Sequence, residues 1–202
     1  MIFICSPNNP TGNSIATVSI QYILENFNGI VIIDEAYIDF SEQASWIKQL
    51  EKYPNLIISQ TLSKAWGLAS LRVGIAYGSE EIIALYNKVK PPYNISLPNQ
   101  TIASNNLNQF SRYQDNVNNI ISEKAILKNE LEQLNFVKQI YPSDANFFLI
   151  KVTDANLIYN TLISEKIIIR NRNSVVQNCV RITIGTAEEN QQLITALKTL
   201  QA

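Results

Sequence analysis

The stretch Gly29-Ile30-Val31-Ile32-Ile33-Asp34-Glu35-Ala36-Tyr37 decides the fold class. Four consecutive β-branched apolar residues leave no polar face for solvent, so the run reads as a strand buried on both sides, the pattern of a parallel sheet covered by helices. Working outward, Ile2–Cys5, Leu56–Ile58 and Val73–Tyr77 repeat the pattern at intervals long enough for crossover helices. Between the first two runs, Val18 and Tyr22, with Ile15 and Phe27, recur at helical spacing. The first 90 residues are therefore expected to form a largely parallel α/β sheet with helices on both faces.

After Lys90 the texture changes. Pro91-Pro92-Tyr93-Asn94 breaks any helix, and a polar helical stretch rich in Asn and Gln follows from about Asn99 to Gln133. The remainder reads as strand Phe147–Val152, helix Ala155–Glu165, strand Ile167–Arg170, strand Val180–Ile184 and helix Ala187–Leu200, a small α+β domain. The expected division is 1–98, 99–133 as a helical connector, and 134–202.

Composition narrows the function. The 202 residues carry 16 basic and 17 acidic side chains, a net charge of -1, so no single-sign field steers the chain to nucleic acid or an anionic membrane. A small-molecule ligand is the better expectation. No apolar run approaches the roughly 20 residues that span a bilayer. The absence of histidine removes the commonest metal ligand and the commonest general base, so no metal site and no histidine-dependent triad is expected. Cys5 and Cys179, each flanked by strand-like residues, are expected to be small buried groups in a reducing cytoplasm. Met1 runs straight into a strand, which suggests that chain normally precedes it.

In open α/β sheets ligands bind beyond the carboxyl ends of the strands. Beyond Cys5 comes the turn Ser6-Pro7-Asn8-Asn9-Pro10-Thr11-Gly12-Asn13; beyond Ile33 come Asp34 and Tyr37; beyond Ile58 come Thr61, Ser63 and Lys64. Burying Asp34 at a strand end calls for a cation or hydrogen-bond donors, although Asp also caps helices. Tyr37 could donate its phenol to the same ligand, and Asn9 its amide, although Asn in such a turn also bonds its own backbone. Hydroxyls and backbone N–H groups beside Lys64 suit a phosphate, and a lysine amine can condense with a carbonyl, whereas a lone lysine is usually solvated. Arg72, just ahead of Val73–Tyr77, could bind phosphate bidentately or simply end a helix at the surface.

These stretches, with Asp34-Glu35-Ala36-Tyr37-Ile38-Asp39-Phe40 and Thr61-Leu62-Ser63-Lys64-Ala65-Trp66-Gly67-Leu68-Ala69-Ser70-Leu71-Arg72-Val73-Gly74, resemble the cofactor signatures of fold-type I aminotransferases. Within that group they are most similar to histidinol-phosphate aminotransferases. The resemblance implies pyridoxal 5'-phosphate (PLP) as cofactor, with Lys64 attaching it and shuttling protons and Asp34 pairing with its ring nitrogen. It further implies that Asn9 and Tyr37 bind the ring hydroxyl, and Thr61, Ser63 and Arg72 the phosphate. Arg181-Ile182-Thr183-Ile184-Gly185-Thr186 resembles the segment whose arginine clamps the substrate's anionic end. Arg170, in Ile169-Arg170-Asn171-Arg172, matches a substrate-phosphate arginine. Strand-flanking arginines such as Arg170 and Arg172 are otherwise mostly solvated.

The implied reaction is transamination between histidinol phosphate and 2-oxoglutarate in histidine biosynthesis, by a cytoplasmic homodimer acting on small amino and oxo compounds. Another aminotransferase or a PLP decarboxylase of the same fold is the enzymatic alternative, and a non-catalytic fragment the other. The family is longer at its N-terminus. Its small-residue phosphate loop and the aromatic residue stacked on the cofactor ring are not found in these 202 residues.

Overall fold

The computed structural model describes residues 1–200. The chain divides into two compact units: Met1–Asn8 with Ser14–Asp115, and Asn9–Asn13 with the chain from Asn116 on.

The first unit is built on a four-stranded sheet in the order β1 (Ile2–Cys5), β2 (Val31–Asp34), β3 (Leu56–Thr61), β4 (Gly74–Tyr77). The first three strands are parallel and β4 closes the edge antiparallel to β3. The parallel reading of the buried runs therefore holds, with one reversed edge strand. Val31 pairs with Leu56 and Ile33 with Ile58. All four are fully buried and form one core with Ile20 and Leu24 of helix α1 (Thr17–Asn26).

That packing sets the buried face of α1. Val18 and Tyr22 are 74% and 68% exposed, while Ile20 and Leu24 point inward. Both pairs are spaced four apart, so helical period alone does not choose between them; the branched surface of β2 and β3 does. Cys5 departs from expectation too: it is exposed, whereas Cys179 is buried.

Helices α2 (Glu80–Val89) and α3 (Leu97–Leu107) come after the sheet. The polar helical stretch expected from Asn99 to Gln133 is two helices, because the chain turns at Asn108 before α4 (Phe110–Glu132) begins.

The second unit carries an antiparallel sheet in the order β5 (Val137–Ile140), β6 (Phe147–Val152), β8 (Cys179–Thr183), β7 (Arg170–Asn171). Helices α5 (Ala155–Ser164) and α6 (Ala187–Thr199) pack on it, burying Ile158, Leu162, Leu193, Ile194 and Leu197 against Phe148, Ile150, Val180 and Ile182. The expected strand Ile167–Arg170 contracts to β7 at Arg170–Asn171. Lys166 turns left-handed after α5 (φ 62), and Ile167 donates to Leu162, so the chain is still leaving the helix there. α6 opens with a capping box in which Thr186 and Glu189 satisfy each other's backbone N–H.

Candidate functional site

Register brings the first unit's candidates to one sheet edge. Cys5, Asp34 and Ser59 are aligned across β1, β2 and β3, and the ladder continues one step further through Ser6 N–H to Asp34 and Glu35 N–H to Ser59. β1 and β2 end at this level and β3 runs two residues further to Thr61, so the loops that leave the three strands emerge at one end of the sheet, the geometry expected of a ligand site in an α/β sheet.

Asp34 is half-buried, and one carboxylate oxygen accepts from Ala36 N–H at 3.0 Å. The other takes no donor from the described residues. Asp34 also acts on Cys5, whose thiol pKa is raised by its partial burial and by the Asp34 charge. Tyr37 is buried at 7% exposure, and the Lys64 ammonium lies 5.2 Å from the centre of its ring. That distance is a cation–π contact with the ring face.

Lys64 itself is exposed. It sits in a turn closed by Gly67 N–H to Lys64 C=O at 2.9 Å, and Gly67 takes φ 69, a left-handed conformation that glycine adopts without steric penalty. Ahead of it, the Thr61 hydroxyl donates to Ser63 Oγ at 2.8 Å, while Ser63 N–H donates to Thr61 Oγ1 at 3.0 Å. The two hydroxyls are therefore adjacent. Arg72 is exposed and left-handed (φ 54), and its guanidinium donates to Ala69 C=O at 3.1 Å. A terminal guanidinium group with only one backbone partner keeps most of its donors available.

The scaffold under these residues is polar, and its members do not stand out in the sequence. Glu35, 1% exposed, accepts from Ser45 Oγ at 2.6 Å, Trp46 N–H at 2.7 Å and Gln60 Nε2 at 2.9 Å. Ser6, also buried, accepts from Ile15 N–H at 3.0 Å. Both lie beside candidate residues, Glu35 directly after Asp34 and Ser6 three before Asn9; a charged residue directly after a buried strand was the available signal.

The second unit holds Asn9, Arg170 and Arg181. The Arg181 guanidinium donates to Asn9 Oδ1 at 2.7 Å and stacks 4.8 Å from the Phe147 ring. Arg170 and Arg181 are direct cross-strand partners between β7 and β8. Like charges placed opposite each other are unfavourable in the absence of an anion. The Asn9 turn is fixed by Asp144 N–H donating to Gly12 C=O at 2.7 Å. Gly12 is buried with φ 84, and a Cβ there would meet Ser143 Oγ at 2.5 Å, so the turn requires glycine. Lys124 of α4 supports the facing loop by donating to the carbonyls of Ser143 and Ala145.

The donor set suits PLP chemically. Within the first unit it offers an amine for a carbonyl, a carboxylate oxygen without a protein donor for a protonated ring nitrogen, a phenol for a hydroxyl, and adjacent hydroxyls with a guanidinium for a phosphate. No cluster of His, Cys, Asp and Glu able to hold a metal occurs among the described residues. No helix among them is long and apolar enough to cross a membrane.

Comparison with known proteins places the chain in a family. The family model described as aminotransferase class I and II matches residues 1–197. The histidinol-phosphate aminotransferase of Flavobacterium psychrophilum is 54% identical over 202 residues, covering 99% of this chain and 58% of the relative. That of Flavobacterium johnsoniae is 50% identical with the same coverages. The chain thus spans about 58% of the length of these relatives. Among solved structures, the histidinol-phosphate aminotransferase from Clostridium acetobutylicum superposes with a TM-score of 0.91 at 26% identity, over 98% of this chain and 63% of that one. A decarboxylase from Sulfurospirillum multivorans superposes with a TM-score of 0.86 at 27% identity, over 99% and 61%.

Proposed function

Because the chain belongs to the aminotransferase class I and II family, we propose that it is the cofactor-attaching and substrate-clamping part of a PLP-dependent aminotransferase. The proposed reaction moves an amino group between L-histidinol phosphate and 2-oxoglutarate in histidine biosynthesis, in the cytoplasm and as a homodimer. In this reading 1–98 belong to the cofactor-binding domain, 99–133 form the connector and 134–202 the small domain.

When bound, PLP supplies a protonated ring that withdraws electrons from the substrate carbon bearing nitrogen. The residues supply the rest. Lys64 Nζ is the attachment amine and, once free, the base that removes and returns the proton at that carbon. Asp34 holds the proton on the ring nitrogen with the carboxylate oxygen that Ala36 leaves free. Tyr37 and Asn9 hold the ring hydroxyl, and Thr61, Ser63 and Arg72 the cofactor phosphate. Arg181 and Arg170 hold the anionic end of the substrate.

The observation that carries the choice of substrate is the cross-strand pair Arg170–Arg181. Two opposed guanidinium groups match a phosphate dianion better than a single carboxylate. The relatives of about half-identical sequence support the same substrate class. Likeness to the Sulfurospirillum decarboxylase favours decarboxylation as the second reading.

Purified chain given PLP and glutamate is assayed with imidazole-acetol phosphate and, separately, with aromatic and aliphatic oxo acids. Preference for the phosphate-bearing substrate is expected, and release of carbon dioxide from an amino acid would favour the second reading. Lys64→Ala is expected to lose the visible absorbance of lysine-linked cofactor; a variant that keeps it sinks the assignment.

A further inference from the structure

Two loops of the first unit carry Tyr37 and Lys64, both assigned above to the cofactor, and one side chain outside both loops touches each. Tyr113 lies in the first turn of α4. Its hydroxyl donates to Asp39 Oδ1 at 2.6 Å. Its ring stacks on Trp66 with centroids 4.2 Å apart and planes 18° from parallel, and Phe110 packs against it at 5.4 Å. Asp39 stands two residues after Tyr37, and Trp66 two residues after Lys64.

Neither connection is slack. Asp39 lies in the 3₁₀ turn Ile38–Phe40, closed by Phe40 N–H to Tyr37 C=O at 3.2 Å, so moving Asp39 moves Tyr37. Trp66 lies inside the turn closed by Gly67 N–H to Lys64 C=O at 2.9 Å, so moving Trp66 moves Lys64. We propose that Tyr113 is a positioning residue: with its hydroxyl on one loop and its ring on the other, it sets the approach of the Lys64 amine to the Tyr37 ring. Burial raises the pKa of the Asp39 carboxyl, and the Tyr113 hydrogen bond works against that rise. The fold keeps a costly carboxylate where Tyr113 can hold it. The claim rests on the transamination reading only for what Lys64 does, not for what Tyr113 holds.

The two halves of the clamp are separable. Tyr113→Phe keeps the stack and deletes the hydroxyl; Tyr113→Leu deletes both. Amide hydrogen exchange on the full chain without cofactor reads the loops directly. Tyr113→Phe is expected to speed exchange about tenfold at Ile38–Ser41 and leave Ala65–Leu68 unchanged. Tyr113→Leu is expected to speed both segments, with Ile32 and Ile33 of β2 keeping their protection. Faster exchange throughout the first unit would make Tyr113 an ordinary packing residue, and no change in either loop would equally overturn the proposal. If Tyr113→Leu does not fold, the one-loop response of Tyr113→Phe decides alone.

A second readout tests the consequence for the lysine. PLP with borohydride, followed by peptide mapping, gives the labelling of Lys64 relative to the exposed Lys128. That ratio is expected to drop about tenfold in Tyr113→Leu and less in Tyr113→Phe; an unchanged ratio would overturn the link to Lys64. A wild-type ratio near one would instead count against the transamination reading, while hydrogen exchange still decides for or against the clamp.

Discussion

Replacing Glu35 tests how the site edge is held. Its carboxylate receives a hydroxyl, a backbone N–H and a side-chain amide at 2.6, 2.7 and 2.9 Å, in a place where the residue is 1% exposed. Glu35→Ala strands three donors from two segments: Ser45 and Trp46 in the loop after Phe40, and Gln60 of β3. Each charge-assisted bond contributes roughly 1.5 kcal/mol net, and a stranded buried donor costs roughly 1–3 kcal/mol. Partial relaxation and non-additivity bring the expected loss to about 4 kcal/mol.

Glu35→Gln is expected to cost only about 1–2 kcal/mol. Its oxygen can replace Oε1 for Trp46, and at the Oε2 position its NH₂ can donate to a rotated Ser45 hydroxyl and a flipped Gln60 amide. Both tryptophans, Trp46 and Trp66, lie in the first unit, so fluorescence in urea follows that unit alone. With a slope of about 2 kcal/mol/M, the alanine midpoint should drop by roughly 2 M and the glutamine midpoint by less than 1 M. An alanine variant within about 1 kcal/mol of wild type, or equal losses in both, would refute the claim that hydrogen bonding rather than bulk holds this edge.

Asp39, whose carboxyl pKa is raised by burial, binds its proton more tightly when folded than unfolded. Stability from this group is therefore full below the ordinary Asp range near 3.9 and is lost as pH rises through the raised value, so Asp39→Asn should gain on wild type across that window in melts run against pH. The Lys124 amine is shifted the other way, lowered by burial and partly restored by Asp144. Folding releases its proton early, so wild-type stability relative to Lys124→Met should grow as pH rises toward 10.5, and at neutral pH the variant should lose about 1–2 kcal/mol from the two carbonyls it abandons. Arg170→Gln should raise the melting temperature slightly in anion-free buffer by removing a cross-strand like charge, and shrink the rise that inorganic phosphate gives the wild type; an undiminished rise would count against a phosphate at that pair.

Much of the fold was legible because the deciding signal was local. Ile30–Ile33 admits no solvent face, so β2 and its buried neighbours could be read from the run itself. β6 was likewise found at its observed bounds, Phe147–Val152, because the run is almost wholly apolar. Where a choice depended on a partner, the sequence was silent: the inward face of α1 was settled by β2 and β3, and the left-handed exit from α5 at Lys166 shortened the next strand. The short, polar β5 (Val-Lys-Gln-Ile) carries no such signal and emerges only from its pairing with β6.

The residues expected to meet ligand and those that hold them divide along the same line. Lys64, Asn9, Arg72 and Arg170 are exposed, at loops and strand ends where a reactive group must be reached, and each carries a recognisable chemical type. Their supports are Glu35, Ser6, Gly12 and Tyr113, whose importance lies in partners distant in sequence: Glu35 with Gln60, Ser6 with Ile15, Gly12 with Ser143, Tyr113 with Asp39. A reactive side chain announces itself by what it can do, whereas a support is defined by what it touches. Arg170 and Arg181 cross from one class to the other. Each was visible as a strand-flanking cation, but only the register of β7 on β8 sets them opposite each other, and that opposition, not the presence of either arginine, argues for an anion with more than one charge.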